Sequence, residues 1–333
     1  MAPISPASNG VAAIERPRPT PVATPSPVRN GWIPLESWAG SRGFSKMIRR
    51  ATPKSVHYGF ERSADKLEVS PGSQEARWNG GVFWLGYAPM MVAETLMVHA
   101  LDVEKNLEPL VTPHEGWQRR VIVLDPGHGG DQHGALSVSG RALEKNFTLD
   151  WALRLRALLV ETGWKVLLTR TNDIDVPLVE RVAVAERAHA DVFLSLHFNA
   201  TDPNSEQSGL ETYCLTPAGM PSSIIRNFPD DAGAVFPNNA FDGENFSLAM
   251  RLHAAILQGT RSPDRGVRRA RFMTVLRGQN RPAILLEGGY LSNPREARQI
   301  ARADFRQKLA EAVAAGLNSP KTTSTGPGEK SLN

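Results

Sequence analysis

Two histidines and two glutamates of this 333-residue chain each stand where an apolar run gives way to a turn or a helix begins. They are His128 in LDPGHGG, Glu144 in LEKNF, His197 in LSLHFNA and Glu287 in ILLEGGYLSN. In open α/β sheets, sites form at the C-terminal mouths of the strands. Two imidazoles and one carboxylate are a ligand set for catalytic zinc, with a fourth position left for water. A further carboxylate beside that water acts as general base and then as acid toward a leaving amine.

Each residue also has an ordinary explanation when taken alone. A histidine beside a glycine turn is commonly a loop residue, and His197 follows an apolar strand where buried imidazoles bond to backbone. Glu144 suits the first turn of any helix, where the dipole favours an acid. Glu287 is harder to dismiss, because it follows four apolar residues and an unpartnered buried carboxylate is costly. A phosphate-cradling loop is excluded: DPGHGG lacks both the Lys-Ser/Thr of a P-loop and the G-x-G-x-x-G spacing.

The elements that must position these groups alternate. Val121 to Leu124 predicts a strand, and Glu144 onward predicts a helix with Phe147, Trp151, Leu155 and Leu158/Leu159 on one buried face. Val166 to Leu168, Val192 to Leu196, Gly209 to Leu215 and Pro282 to Leu286 predict further strands. Leu178 to Ala190 and Ser247 to Gln258 predict helices, and Asn293-Pro294 caps a last one with Glu296 at its third position. The fold class expected is α/β, a mainly parallel twisted sheet covered by helices on both faces. A small β-rich N-terminal module precedes it, expected from runs such as SVHYGFE, KLEVS and GGVFWLG broken at Pro71-Gly72 and Asn79-Gly80-Gly81.

Composition sets the boundaries. Residues 1–30 and 319–333 are rich in Pro, Ser and Thr and poor in bulky apolar side chains, so both are expected to be disordered. Residues 31–117 form the accessory module and 118–318 the catalytic unit. The module's order of strand, turn, apolar strand and helix loosely resembles the copper amine oxidase N-terminal-like domains that accompany some wall enzymes. Binding to wall or to a regulatory protein is its expected role, with interdomain spacing the alternative.

The net charge of +4 fits an anionic partner and equally a mildly basic solvated surface, and without a run of five Lys/Arg no nucleic-acid tail is indicated. No transmembrane segment is expected, since no apolar stretch approaches about 18 residues. The opening MAPISPASNGVAAIERPRP carries acid and proline where a secretion signal needs a continuous apolar core. Cys214 is the one cysteine, so no intrachain disulfide forms, and its alternating strand makes it a small core residue.

Together the four segments, in this order, resemble the N-acetylmuramoyl-L-alanine amidase family with the zinc-dependent "amidase 3" catalytic domain. DPGHGG, EKN opening a helix, SLHFNA and PAILLEGGYLSN carry the resemblance, joined by FMTVLR (272–277) and the preceding Asp264-Arg-Gly-Val, across Arg119 to Gly316. It implies one Zn2+ per chain held by His128, Glu144 and His197, with Glu287 as the catalytic carboxylate. It also implies that peptidoglycan is hydrolysed between the lactyl group of N-acetylmuramic acid and L-alanine, which places the protein in the periplasm or another extracytoplasmic compartment. Gly288 stands where many members carry a larger residue.

Further candidates are Asp125, to steady the His128 loop or partner a ligand imidazole, and Asn199, to contact substrate or cap its loop. Arg271 and Arg277 are candidates for stem-peptide carboxylates, set against ordinary surface arginines. His114, His133, His189 and His253 fit no motif and are expected to be structural or solvated. Thr216 to Phe246 is a long excursion, expected to be a substrate-facing loop. Two other functions compete: a wall-binding scaffold that holds zinc without turnover, and a zinc peptidase cutting within stem peptides. HExxH is absent, which excludes the familiar zincin arrangement.

Overall fold

The structure is a computed structural model that describes residues 31–52, 55–112, 116–140, 142–201, 206–226 and 229–319. The expected disorder of residues 1–30 and 320–333, and His114, lie outside the described residues.

The N-terminal part runs β1 (Trp32–Pro34), α1 (Leu35–Ser41), β2 (Ile48–Ala51), β3 (Val56–Arg62), β4 (Asp65–Val69), β5 (Glu75–Trp78) and β6 (Gly81–Trp84). A hairpin of β7 (Met90–Val92) and β8 (Thr95–His99) follows, then α2 (Ala100–Asp102), which passes through one wider turn into α3 (Glu108–Val111). The C-terminal part begins with β9 (Val121–Pro126), α4 (Glu144–Glu161), β10 (Lys165–Leu168), α5 (Leu178–Arg187), β11 (Val192–Asn199) and β12 (Leu210–Leu215). It ends with α6 (Asp242–Thr260), β13 (Asp264–Ala270), α7 (Thr274–Arg277), β14 (Ala283–Tyr290), α8 (Pro294–Ile300) and α9 (Ala303–Asn318). No described helix is long and apolar enough to cross a membrane.

Eleven strands share one sheet in the order β10-β9-β11-β14-β12-β13-β6-β5-β4-β3-β2. Among the strands from β9 onward all neighbours are parallel except β12, which runs antiparallel to β14. One face is covered by the large apolar cluster of α4, α6 and α9, including Trp151, Leu155, Phe246 and Leu309. A smaller cluster with Ala185, Phe193, Tyr213 and Leu276 covers the other, so both faces carry helices.

Two expectations change. Residues 31–117 read as a separate unit, yet β6 pairs in parallel with β13 at Val267↔Phe83, and β2–β6 extend the sheet of the C-terminal part. The joint is polar as well as apolar. Val82 N donates to Asp264 Oδ2 at 2.8 Å, and the buried Arg269 guanidinium donates to Asn106 Oδ1 at 2.8 Å and to the Lys105 and Leu215 carbonyls. An arginine inside a strand carries no sign in sequence that two of its partners, Lys105 and Asn106, lie 164 and 163 residues away. The second change is at the C-terminus, where the predicted last helix is two. Asn293 does cap α8, accepting from Arg295 N at 3.0 Å and Glu296 N at 3.2 Å, but α9 follows it.

Candidate metal centre

Three strand ends and one helix start build the site. After β9, the chain turns through Gly127-His128-Gly129-Gly130, and His128 sits at φ +63. A non-glycine residue in that left-handed region costs on the order of 1–3 kcal/mol, so surrounding bonds must hold it. Arg181 Nη2 donates to the His128 carbonyl at 2.8 Å, and Lys145 Nζ donates to the Gly130 carbonyl at 2.7 Å. Asp125 supplies the other end of this brace. Its buried carboxylate accepts from Arg181 Nη1 at 2.8 Å, Thr169 Oγ1 at 2.7 Å and Ser195 Oγ at 2.8 Å. Asp125 therefore acts on His128 through Arg181 and the loop backbone, while the His128 and His197 imidazoles both face Glu144.

Glu144 opens α4 with its carboxylate 5% exposed. Ala135 N donates to Oε2 at 2.9 Å and Phe198 N to Oε1 at 3.0 Å, which orients the group. His128 Nε2 lies 3.0 Å from Oε2 and His197 Nδ1 lies 2.9 Å from Oε1. One ligand atom from each of the three residues falls within 4.8 Å of the others, a grouping that could hold a metal ion. Burial would raise the Glu144 carboxyl, but bonds and charge from His128 and His197 outweigh it and hold the group below its ordinary value. Two nitrogens and one oxygen suit zinc far better than the all-oxygen shells of calcium or magnesium.

Gly127 makes this convergence possible. A Cβ there would lie 2.2 Å from Cε1 of the His197 ring, inside any allowed contact. Gly127→Ala should push that imidazole out of the cluster and lower metal affinity about 10–100-fold, on the scale seen when groups orienting a ligand are disturbed. Zinc titration against a fluorescent chelator measures this, and an unchanged affinity would show that the close approach is not needed.

Glu287 is the cross-strand neighbour of His197 in the β11–β14 ladder and of Glu211 in the β12–β14 ladder. Neighbouring strands are about 4.8 Å apart, so Glu287 is next to the candidate ligand His197. Among the described residues its Oε2 is buried without a hydrogen-bond partner. Burial, followed by the negative charge of Glu144, raises its carboxyl well above the ordinary glutamate value, with Arg226 pulling the other way. A dication between the three ligands would reverse much of that shift. The adjacent Gly288 is a packing requirement, since a Cβ would meet Phe198 Cε1 at 2.8 Å.

Sequence reasoning missed Glu211 and Arg226. Glu211 is buried and accepts from Tyr213 Oη at 2.7 Å, Asn199 Nδ2 at 2.9 Å and Arg265 Nε at 2.9 Å, with Arg268 Nε 3.4 Å away. Its one sequence signal was an acid inside a strand that is otherwise apolar or small. Asn199 is buried and joins the two: its Nδ2 donates to Glu211, and its Oδ1 accepts from Arg226 Nη2 at 3.2 Å.

Arg271 and Arg277 are not at this site. Because β12 reverses relative to β14 and β13 follows β12, the chain after β13 leaves the sheet at the opposite end. Five residues of strand separate the Glu211 level from Arg271, roughly 16 Å. Arg271 is buried and donates to Asp230 Oδ1 at 2.6 Å and to the Pro217 and Met220 carbonyls. Arg277 Nη2 donates to Thr274 Oγ1 at 2.8 Å, with its guanidinium over the Phe236 ring. The excursion after β12 is thus anchored: Met220 is buried, Ser223 pairs with the Arg269 backbone, and Tyr87 Oη donates to the Gly219 carbonyl. Deleting 218–237 would strip a buried arginine of its partners, so single substitutions probe the loop better. His253 is buried between Thr212 Oγ1 and Asp264 Oδ1, each 2.9 Å away, and Cys214 is a buried free thiol, so both are structural.

Comparison with known proteins adds an independent line. Residues 122–319 match the family model described as N-acetylmuramoyl-L-alanine amidase. The amidase AmiC of Neisseria meningitidis is 32% identical over 238 residues, covering 65% of this chain and 56% of that relative. The amidase AmiA of Escherichia coli K12 is 32% identical over 220 residues, covering 60% of this chain and 75% of its own length. The solved amidase AmiC2 of Nostoc punctiforme superposes with a TM-score of 0.50 at 33% identity, covering 61% of this chain and 97% of that one. The matched region is thus little more than half the length of AmiC.

Proposed function

This chain belongs to the N-acetylmuramoyl-L-alanine amidase family, and from that premise we propose that it hydrolyses the amide between the lactyl group of N-acetylmuramic acid and L-alanine in peptidoglycan. The observation that carries this reading is the convergence of His128, Glu144 and His197 beside a buried carboxylate, Glu287, whose Oε2 lacks a partner. In this reading residues 118–318 are the catalytic unit, and residues 31–117 meet wall or a regulatory protein. The substrate places the enzyme outside the cytoplasm.

His128, Glu144 and His197 would hold one zinc ion, which supplies Lewis-acid polarisation of water and of the scissile carbonyl. Glu287, buried beside the site with its Oε2 unpartnered, takes a proton from the attacking water. The same carboxyl then returns the proton to the alanine nitrogen as the C–N bond breaks. The brace from Asp125 through Arg181 keeps the His128 backbone fixed during these transfers. No covalent enzyme intermediate is required, and Cys214 takes no part.

Digestion of purified muropeptides followed by mass analysis tests the bond assignment. The expected products are a free stem peptide with an intact N-terminal alanine and an unsubstituted lactyl carboxylate. Fragments cut within the stem would assign peptidase chemistry instead, and intact muropeptides with metal bound would favour the scaffold reading.

A further inference from the structure

We propose that Arg226 reads the carboxylate of the stem-peptide residue that directly follows the alanine, and so sets which stem chemistry the site accepts. This rests on the amidase reading. The ladder register puts Glu287 and Glu211 side by side on one face of the sheet, with Tyr213 and Arg268 further along β12 and β13. The charges of Arg265 and Arg268 are spent on Glu211, at 2.9 and 3.4 Å. Arg226 is different. It is exposed, its Nη2 donates to Asn199 Oδ1 at 3.2 Å, its guanidinium lies 5.4 Å from the centre of the Phe272 ring, and it pairs with no carboxylate among the described residues.

The segment that carries it is held from below. Asp230 takes Arg271 Nη1 at 2.6 Å and Ser222 N at 2.8 Å, and the loop backbone at Ser223 bonds to Arg269. Ile224 packs against the smaller apolar cluster. The cation is therefore presented by an anchored loop, which limits the entropy lost when it meets a ligand. Its Nη2 reaches Asn199, two residues past His197 on β11, and Asn199 Nδ2 in turn reaches Glu211, the cross-strand neighbour of Glu287. Glu287 protonates the leaving amine, so the peptide lies on that side, and one residue past the alanine spans about 3.5 Å. An exposed arginine fork meets a carboxylate with two charged, parallel bonds, where an amide offers a single neutral acceptor.

The test uses the full zinc-loaded chain and two muropeptides that differ only at the second stem residue, its carboxylate free in one and amidated in the other. Wild type should prefer the free acid by about tenfold or more in kcat/KM, the scale of one charged hydrogen bond. Arg226→Gln should erase that preference through KM with kcat held, and Arg226→Lys should keep part of it. In a Glu287→Gln background, calorimetry should show Arg226→Gln weakening the free-acid ligand about tenfold while leaving the amidated one unchanged. An intact preference in Arg226→Gln, or equal losses on both ligands, overturns the proposal. If wild type cleaves neither muropeptide, the amidase reading fails, while the calorimetric comparison still decides the role of Arg226.

Discussion

Glu287→Gln is expected to lower hydrolysis of muropeptides about 10²–10⁴-fold, the range for loss of a positioned general base and acid. Glutamine keeps the shape of the side chain, so packing against β11 and β12 is preserved. It removes a carboxyl that burial, then Glu144 and Glu211, push up, and whose Oε2 is buried without a partner among the described residues. The metal-free variant should therefore melt no lower than wild type, and zinc should still bind, because His128, Glu144 and His197 are untouched. Steady-state kinetics, metal analysis and a melting scan read these three outcomes. Retained turnover in a folded, zinc-loaded variant would remove Glu287 from the mechanism and return the chain to the scaffold or another chemistry.

Metal removal is the second large effect. Exhaustive chelation should abolish hydrolysis, and zinc added back should restore it. Removal should also cost stability, because a ligand bound only by the folded state contributes about 4 kcal/mol when its free concentration is a thousand times the dissociation constant. The side chains of the candidate centre explain why the loss would be local first. Glu144 holds both imidazoles and also accepts from Ala135 N and Phe198 N. Without the ion, that carboxylate is left to satisfy two rings by itself. Glu144→Ala should reproduce the loss of activity and defeat rescue by zinc. Full activity in a chain containing no metal would dismiss the centre.

Much of the fold was legible before any coordinates. The α4 stripe of Phe147, Trp151, Leu155 and Leu159 is buried as its spacing requires, and the strands at 121, 165, 192, 210 and 283 sit close to where the apolar runs put them. These signals are local, set by the period of a helix or the length of a buried strand. The β13 strand was missed, since DRGVRRA carries four charges and hides its pairing with β12 and β6. The joining of the N-terminal strands to the sheet of the C-terminal part was missed for the same reason: one bridge and a buried arginine decide it.

The candidate metal ligands and Glu287 could be singled out from sequence because each lies in a compact motif whose neighbours dictate its backbone. Glycines flank His128, a helix start presents Glu144, and strand ends present His197 and Glu287. Whether a side chain from a distant strand joins them depends on strand direction and order, which leave no local trace. The reversal of β12 against β14 takes Arg271 and Arg277 to the opposite end of the sheet and sets Glu211 against Glu287. The anchored loop after β12 brings Arg226 to Asn199. Local chemistry was written in the chain; which groups share a neighbourhood was decided by the topology of the sheet.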